Sequence, residues 1–324
     1  MLLLHLFCRK GTDVYGTPLI WLSEDTPLIY YLGFLSEICV PMYCMCSGYA
    51  HYRLGESGGL TVKRNCRRGL KFLLNYWIIL LIFSLVGILV QSTTIPVSIE
   101  RFLGNFFLYR VSYNGAWWFV PTYIILLCLS YGVYKLVCSL HGVIILGVGS
   151  MELLFFALFK TRVQEFLTGN FAVECIGTQV LNLAGVPIFS YIAGMMIARY
   201  ALISYLKKRK LPDWALIVAL IIASLAVCII HKAILMPYYA ILVFTVANVV
   251  NKNAGVKKGL GFLGKHSTNI WLVHMFFYLT LFPGLVQNLK YPFLIFMGLL
   301  MICILVSLII NYIYTLIIKM LKIA

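Results

Sequence analysis

The feature that most constrains this chain is a succession of apolar runs, each about 17–25 residues long, separated by short polar turns. That length matches the hydrocarbon thickness of a bilayer. Residues 33–52, 72–90, 116–137, 142–159, 180–206, 214–230, 233–250, 268–286 and 293–318 read as about nine spans. Backbone N–H and C=O groups cannot stay unpaired in lipid, so such spans are helices. The short alternating segments of a barrel are missing. Charged residues make up only 11% of the chain and hydrophobic residues 62%, against about 25% charged in a soluble domain. The expected fold is all-α, a polytopic membrane helix bundle in which 1–324 forms a single transmembrane domain.

Residues 1–8 are apolar but span only about 12 Å as a helix, against roughly 30 Å of bilayer core. They carry no basic leader and no small-residue cleavage site. They read as the outer half of a first helix whose N-terminal part is missing. Completing it gives about ten spans.

A net charge of +16 raises the question of nucleic acid, and the distribution of that charge answers it. With the basic segment 53–71 placed in the cytoplasm, Arg9, Lys10, Arg101, Arg110, Lys160, Arg162, Lys232 and Lys290 fall on the outer side, and the rest of the 26 Lys and Arg lie on or near the inner one. This is the positive-inside pattern, so the partner is a lipid bilayer and not nucleic acid. It puts the C-terminus in the cytoplasm and longer loops near 91–115 and 160–178 outside. The ten cysteines follow no paired spacing for a disulfide framework or a zinc site, and no metal ligand set is found. Also missing are a glycine-rich phosphate loop and a Gly-x-Ser-x-Gly elbow.

Segment 261–278 is the richest in chemistry, with Lys265, His266, Ser267 and His274 in an apolar setting. A histidine inside a membrane helix is costly unless it faces a cavity or a partner. His5, in the apolar N-terminal stub, is a candidate general base or an interface residue. Arg64 and Arg67 are three apart, as are Arg68 and Lys71, and residues so spaced share a helix face. Such cations could clamp phosphates, although positive-inside anchoring explains them equally well. Glu152 lies inside a span, where a carboxylate faces a cavity or a cation, or is protonated. Trp117 and Trp118 fit an aromatic belt at the interface or a stacking surface for sugars.

Four local patterns, in order, resemble the acyltransferase-3 family of integral membrane proteins. Pro41-Met42-Tyr43-Cys44-Met45-Cys46-Ser47-Gly48-Tyr49 is similar to its apolar run ending in Ser-Gly-aromatic. Arg67 to Trp77 resembles its basic helix start ending in Tyr-Trp, with Leu74 in place of the family's Pro. Trp117-Trp118-Phe119-Val120 resembles its Trp-Phe-Leu helix start, and Leu263 to His274 its late Gly-Lys-x-Ser…Leu-x-His stretch.

The resemblance implies an O-acyltransferase. It would move an acyl group, by family default acetyl, from cytoplasmic acyl-CoA to a hydroxyl of a cell-envelope or exported glycan, or of a lipid-linked saccharide. Acetyl-CoA is then a co-substrate, and no cofactor is permanently bound. His5 resembles the family's catalytic histidine, whose partner Arg stands about three helical turns earlier, before Met1. Arg68 and Lys71 match the family's Arg-x-x-Arg positions, with Arg67 and Arg64 behind them. Glu152, Trp117, Trp118, Ser267 and His274 are candidates for a tunnel or the acceptor side. The implied location is a bacterial cytoplasmic membrane. Two other readings stay open: a transporter or flippase for a lipid-linked sugar or small acid, and an inactive truncated relative.

Overall fold

The computed structural model describes residues 1–9, 15–167 and 171–322. Lys10 lies outside them. The helices in chain order are α1 (Leu2–Phe7), α2 (Leu28–Leu35), α3 (Cys39–Glu56), α4 (Val62–Leu89), α5 (Ile99–Phe106), α6 (Phe119–Ser139), α7 (Gly142–Phe166), α8 (Phe171–Leu183), α9 (Val186–Arg199), α10 (Leu202–Lys208), α11 (Asp213–Ile230), α12 (Met236–Val249), α13 (Ala254–Met275), α14 (Gly284–Gln287) and α15 (Pro292–Met320). Among the described residues the strands are one short antiparallel pair, β1 (Trp21–Ser23) and β2 (Thr26–Pro27). The chain is therefore an all-α bundle.

Among the described residues seven helical stretches are long and apolar enough to cross a membrane: Leu28–Glu56, Val62–Leu89, Gly115–Ser139, Gly142–Phe166, Val173–Arg199, Asp213–Ile230 and Pro292–Met320. Two of the expected spans differ from this set. The span at 233–250 is a helix of 14 residues, short for a bilayer core. The span at 268–286 is the second half of α13, which begins at Ala254 and carries Lys257, Lys258 and Lys265. It ends in a π-helix, Phe276–Thr280. The expected outer loop at 160–178 is largely helical, because α7 continues to Phe166 and α8 starts at Phe171. The expected span at 180–206 is broken twice, at Gly185 before α9 and at Ala201, whose φ is +47°.

The described residues divide into two compact units. The first comprises Met1–Ser36, Leu70–Trp118 and Lys252–Ala324, and the second Glu37–Gly69 and Phe119–Asn251. In the second unit α3 and α9 pack backbone to backbone. A Cβ on Gly48 would collide with the Tyr191 carbonyl, and one on Gly194 with the Met45 carbonyl. Small residues at facing positions are how helices approach closely in lipid, where burial of apolar area gives little drive. Met45, Ala193, Ile197, Ala240 and Phe244 fill the core around this contact. Arg199 donates to the Val137 carbonyl and to the Leu140 carbonyl at 2.8 Å, supplying positive charge to the carbonyl end of α6.

In the first unit, polar side chains tie loop to helix. The Tyr76 hydroxyl donates to the Asn105 carbonyl and the Trp77 indole to the Phe106 carbonyl, both at 2.9 Å. Asn105, fully buried, accepts from the amides of Ser112 at 3.0 Å and Tyr113 at 3.3 Å. One buried carboxamide thereby satisfies a turn that would otherwise leave backbone donors unpaired.

Candidate functional site

The helical geometry of α13 brings one row of polar groups into the first unit. Trp271, His274 and Tyr278 are three and four residues apart, the spacing of one helix face. The amide of Phe276 turns to the His274 and Val273 carbonyls rather than to that of Leu272. The Leu272 carbonyl instead accepts from Asn114 and from the Trp117 indole, each at 2.9 Å. The π-helix that begins there loosens the ladder just after His274, a device often found at functional sites.

His274 is fully buried. Its Nδ1 lies 2.7 Å from the Trp271 carbonyl, which can only accept, so Nδ1 donates. Its Nε2 lies 2.5 Å from Nδ1 of His5, on the half-buried α1. The two rings are within 8° of parallel, with centroids 4.8 Å apart. Given the short N···N distance, that separation leaves one ring radius on each side. The imidazoles therefore meet edge to edge in nearly one plane, the geometry of a hydrogen bond and not of face stacking. The Tyr278 ring lies within 16° of parallel to His274, with centroids 6.0 Å apart. Its hydroxyl accepts from Arg9 at 3.3 Å, and the Arg9 guanidinium lies 5.8 Å from the ring centre. Among the described residues, the result is a line from the Trp271 carbonyl through His274 to His5, with an exposed Arg9 beside it.

The other sequence-predicted residues fall into place separately. Within the second unit, Arg68 is half-buried and donates to Asn65 Oδ1 at 2.9 Å. Asn65 in turn donates to Ser130 Oγ at 2.6 Å and to the Leu127 carbonyl at 3.2 Å. Arg64 and Arg67, on the same helix start, are exposed. Lys71, one turn after Arg68, is half-buried. The spacing of the basic residues is thus realised on one helix, with Arg68 and Lys71 turned inward of Arg64 and Arg67.

Three of the tunnel or acceptor-side candidates have hydrogen-bond partners of their own. Trp117 is fully buried, packed edge-on against Tyr76 and Phe276 at 4.8 and 5.6 Å. Being fully buried, with its indole donating to the Leu272 carbonyl, it belongs neither to an interfacial belt nor to an open stacking surface. Ser267 donates back to the Gly264 carbonyl of its own helix at 2.8 Å. Glu152 Oε1 accepts the Gly185 amide at 2.5 Å, at the N-cap position of α9, where a carboxylate suits the helix dipole. Trp118 is half-buried.

A family model described as an acyltransferase domain, Acyl_transf_3, matches residues 11–312. The chain belongs to this family. No curated protein and no solved structure matches it significantly. The matched region takes in α2 to most of α15, and with them Arg64, Arg67, Arg68, Lys71 and His274. His5 stands before it, so the case for His5 rests on its contact with His274. Together with its long apolar helices, membership makes the chain a multi-pass membrane acyltransferase that transfers groups other than aminoacyl groups.

Sequence reasoning named His5 and His274 but missed what joins them. The Trp271 carbonyl, Tyr278 and Arg9 were not singled out, although the spacing of Trp271, His274 and Tyr278 was a readable signal. A second buried network was missed as well. Asn269 donates to Ser307 Oγ at 3.1 Å and to Asn311 Oδ1 at 2.9 Å, and accepts from Asn75 at 2.7 Å. His266 shares Ser307 at 2.8 Å.

Proposed function

We propose that this protein is an O-acyltransferase of the bacterial cytoplasmic membrane, with its C-terminus in the cytoplasm. It takes an acyl group, acetyl in the simplest case, from cytoplasmic acyl-CoA. It passes that group to a hydroxyl of a cell-envelope or exported glycan, or of a lipid-linked saccharide. The observation that carries this reading is the His5–His274 pair within a chain of acyltransferase lineage. An imidazole held on one edge by a buried partner, with its other nitrogen open, is a general base in waiting.

In this reaction His5 takes the proton of the acceptor hydroxyl as its oxygen bonds to the thioester carbon. The tetrahedral oxyanion collapses, the carbon–sulfur bond breaks, and the imidazolium returns the proton to the CoA thiolate. Arg9, beside the pair, supplies positive charge of the kind that offsets a developing oxyanion. Arg68 and Lys71, with Arg67 and Arg64 at the exposed margin, hold CoA phosphates by charge-assisted hydrogen bonds. At the Lys71 position the contact is a point charge and not a bidentate fork.

The test is acyl-CoA turnover by the full chain in proteoliposomes, with membrane glycolipid extracts as acceptor. CoA release that depends on acceptor and vanishes in His5→Ala supports the reading. Absence of both acyl-CoA binding and turnover in the wild type sinks it.

A further inference from the structure

We infer that His274 is a positioning residue that locks His5 into the tautomer with its proton on Nδ1, leaving Nε2 as the one basic nitrogen of the pair. This rests on the acyltransferase reading and specifies which atom of that site accepts the proton.

The argument is a count of protons along three hydrogen-bonding groups. The Trp271 carbonyl, 2.7 Å from His274 Nδ1, has only lone pairs to offer. His274 Nδ1 must therefore carry a hydrogen. A neutral imidazole has a single N–H, so His274 Nε2 is bare and can only accept. His5 Nδ1 faces that bare nitrogen at 2.5 Å. Two lone pairs at that distance would repel, so His5 Nδ1 carries the hydrogen. His5 Nε2 is then bare by the same rule. Among the described residues no protein group bonds it. The direction of the whole chain is set by backbone carbonyls of α13, that of Trp271 with Ile270 behind it, which can only accept and do not titrate.

Its depth makes the lock firm. His274 is fully buried, where a donor left unsatisfied pays its full desolvation penalty. Moving the His274 proton to Nε2 would set its bare Nδ1 against the lone pairs of the Trp271 carbonyl, and moving that of His5 would leave two bare nitrogens facing each other. When His5 gains a proton on Nε2, the positive charge is shared through the short bond toward His274 and the Trp271 carbonyl dipole. The arrangement does for His5 what an orienting acid does for the histidine of a hydrolase triad, fixing tautomer and steadying the cation. Here a neutral backbone carbonyl takes the place of a carboxylate, avoiding the burial of a charge.

The decisive measurement is the protonation of His5 in the full chain, in bilayers, by solid-state NMR with nitrogen-15-labelled histidine. The His5 signals are assigned by their loss in His5→Ala. We expect a protonated Nδ1 and an unprotonated Nε2 at neutral pH. In His274→Gln the carboxamide can donate to the Trp271 carbonyl and accept from His5, so the signature persists and turnover stays within about tenfold of wild type. His274→Ala removes the acceptor, the signature is lost, and kcat falls on the order of 100-fold with KM little changed. A wild-type His5 protonated on Nε2 overturns the inference whatever the fate of the variants. So does a His274→Ala protein that keeps the wild-type signature. If the signature is as expected but the wild type turns over no acyl-CoA, the lock stands and the acyltransferase chemistry assigned to His5 fails.

Discussion

His5 and His51 are both histidines bonded through Nδ1 to a ring on a distant part of the chain, and they differ in what that partner can do. His51 Nδ1 meets the Tyr191 hydroxyl at 2.7 Å. A phenol can donate or accept, so this bond leaves the His51 proton free to sit on either nitrogen. His5 meets His274, whose donor is already committed to a backbone carbonyl. The surroundings differ too. His51 is buried among tightly packed helices, α3 and α9, whereas His5 is half-buried on the short α1 and next to an exposed Arg9. A histidine in a membrane helix is thus not informative by itself. Its role is read from whether the partner dictates a tautomer and whether an open nitrogen remains.

The largest effect expected is on that contrast. His5→Ala in proteoliposomes should lower acyl-CoA turnover by on the order of 10²–10⁴, the usual worth of a general base. His51→Ala should leave turnover within a few-fold and lower thermal stability instead. Equal losses of turnover in the two variants would erase the distinction.

The basic start of α4 gives the next largest effect. Arg68 is half-buried and already held by Asn65, while Arg67 is exposed. Hydrogen bonds to charged groups are worth about 1.5–3 kcal/mol. Arg68→Ala should therefore raise the KM for acyl-CoA by roughly 10–100-fold, and Arg67→Ala by less than about threefold, since exposed charges are screened. Steady-state kinetics with varied acyl-CoA separates the two. An Arg67 effect as large as that of Arg68 would place the phosphates on the outer side of the helix.

The class of fold was legible because apolar length is a one-dimensional property. The chemistry was legible only in part. His5 and His274 each stood out as polar residues in apolar surroundings, but their contact joins positions 269 apart and no local pattern announces it. Trp117 misled because a Trp pair where a loop enters a helix looks like a belt. In the fold it is fully buried, with its indole on a carbonyl of α13 far along the chain. Glu152 was readable as a residue needing a partner, yet that partner is a backbone amide, which every residue but proline carries. The start of the helix behind the expected span at 268–286 was missed because hydropathy does not show where a helix begins. Asn253 accepts the Val256 amide as its N-cap, well before the apolar stretch.

Glu152 stands with His51 on the structural side of the comparison. Its carboxylate stabilises the start of α9 through the Gly185 amide. Glu152→Ala should cost about 0.5–2 kcal/mol, the range of a lost N-terminal cap, and leave kcat near the wild-type value. Thermal inactivation in detergent followed by residual activity would measure it. A loss of kcat with unchanged stability would move Glu152 to the catalytic side.

Tyr191→Phe carries the smallest expected effect and gives the cleanest control. The substitution removes a single oxygen, leaving the Tyr191 ring against His51 and the close approach of its backbone to Gly48 intact. What it deletes is the 2.7 Å bond to His51 Nδ1 and the hydroxyl's contact with Ser130, each worth about 1 kcal/mol net. His51 can respond by moving its proton, because no fixed carbonyl dictates its tautomer. The midpoint of thermal unfolding should therefore drop slightly while kcat and KM stay put. Set beside His274→Ala, where an acceptor is removed from a locked pair, the two variants ask the same question of two histidines. A Tyr191→Phe protein that lost turnover as steeply as His274→Ala would show that the second unit holds a working histidine as well.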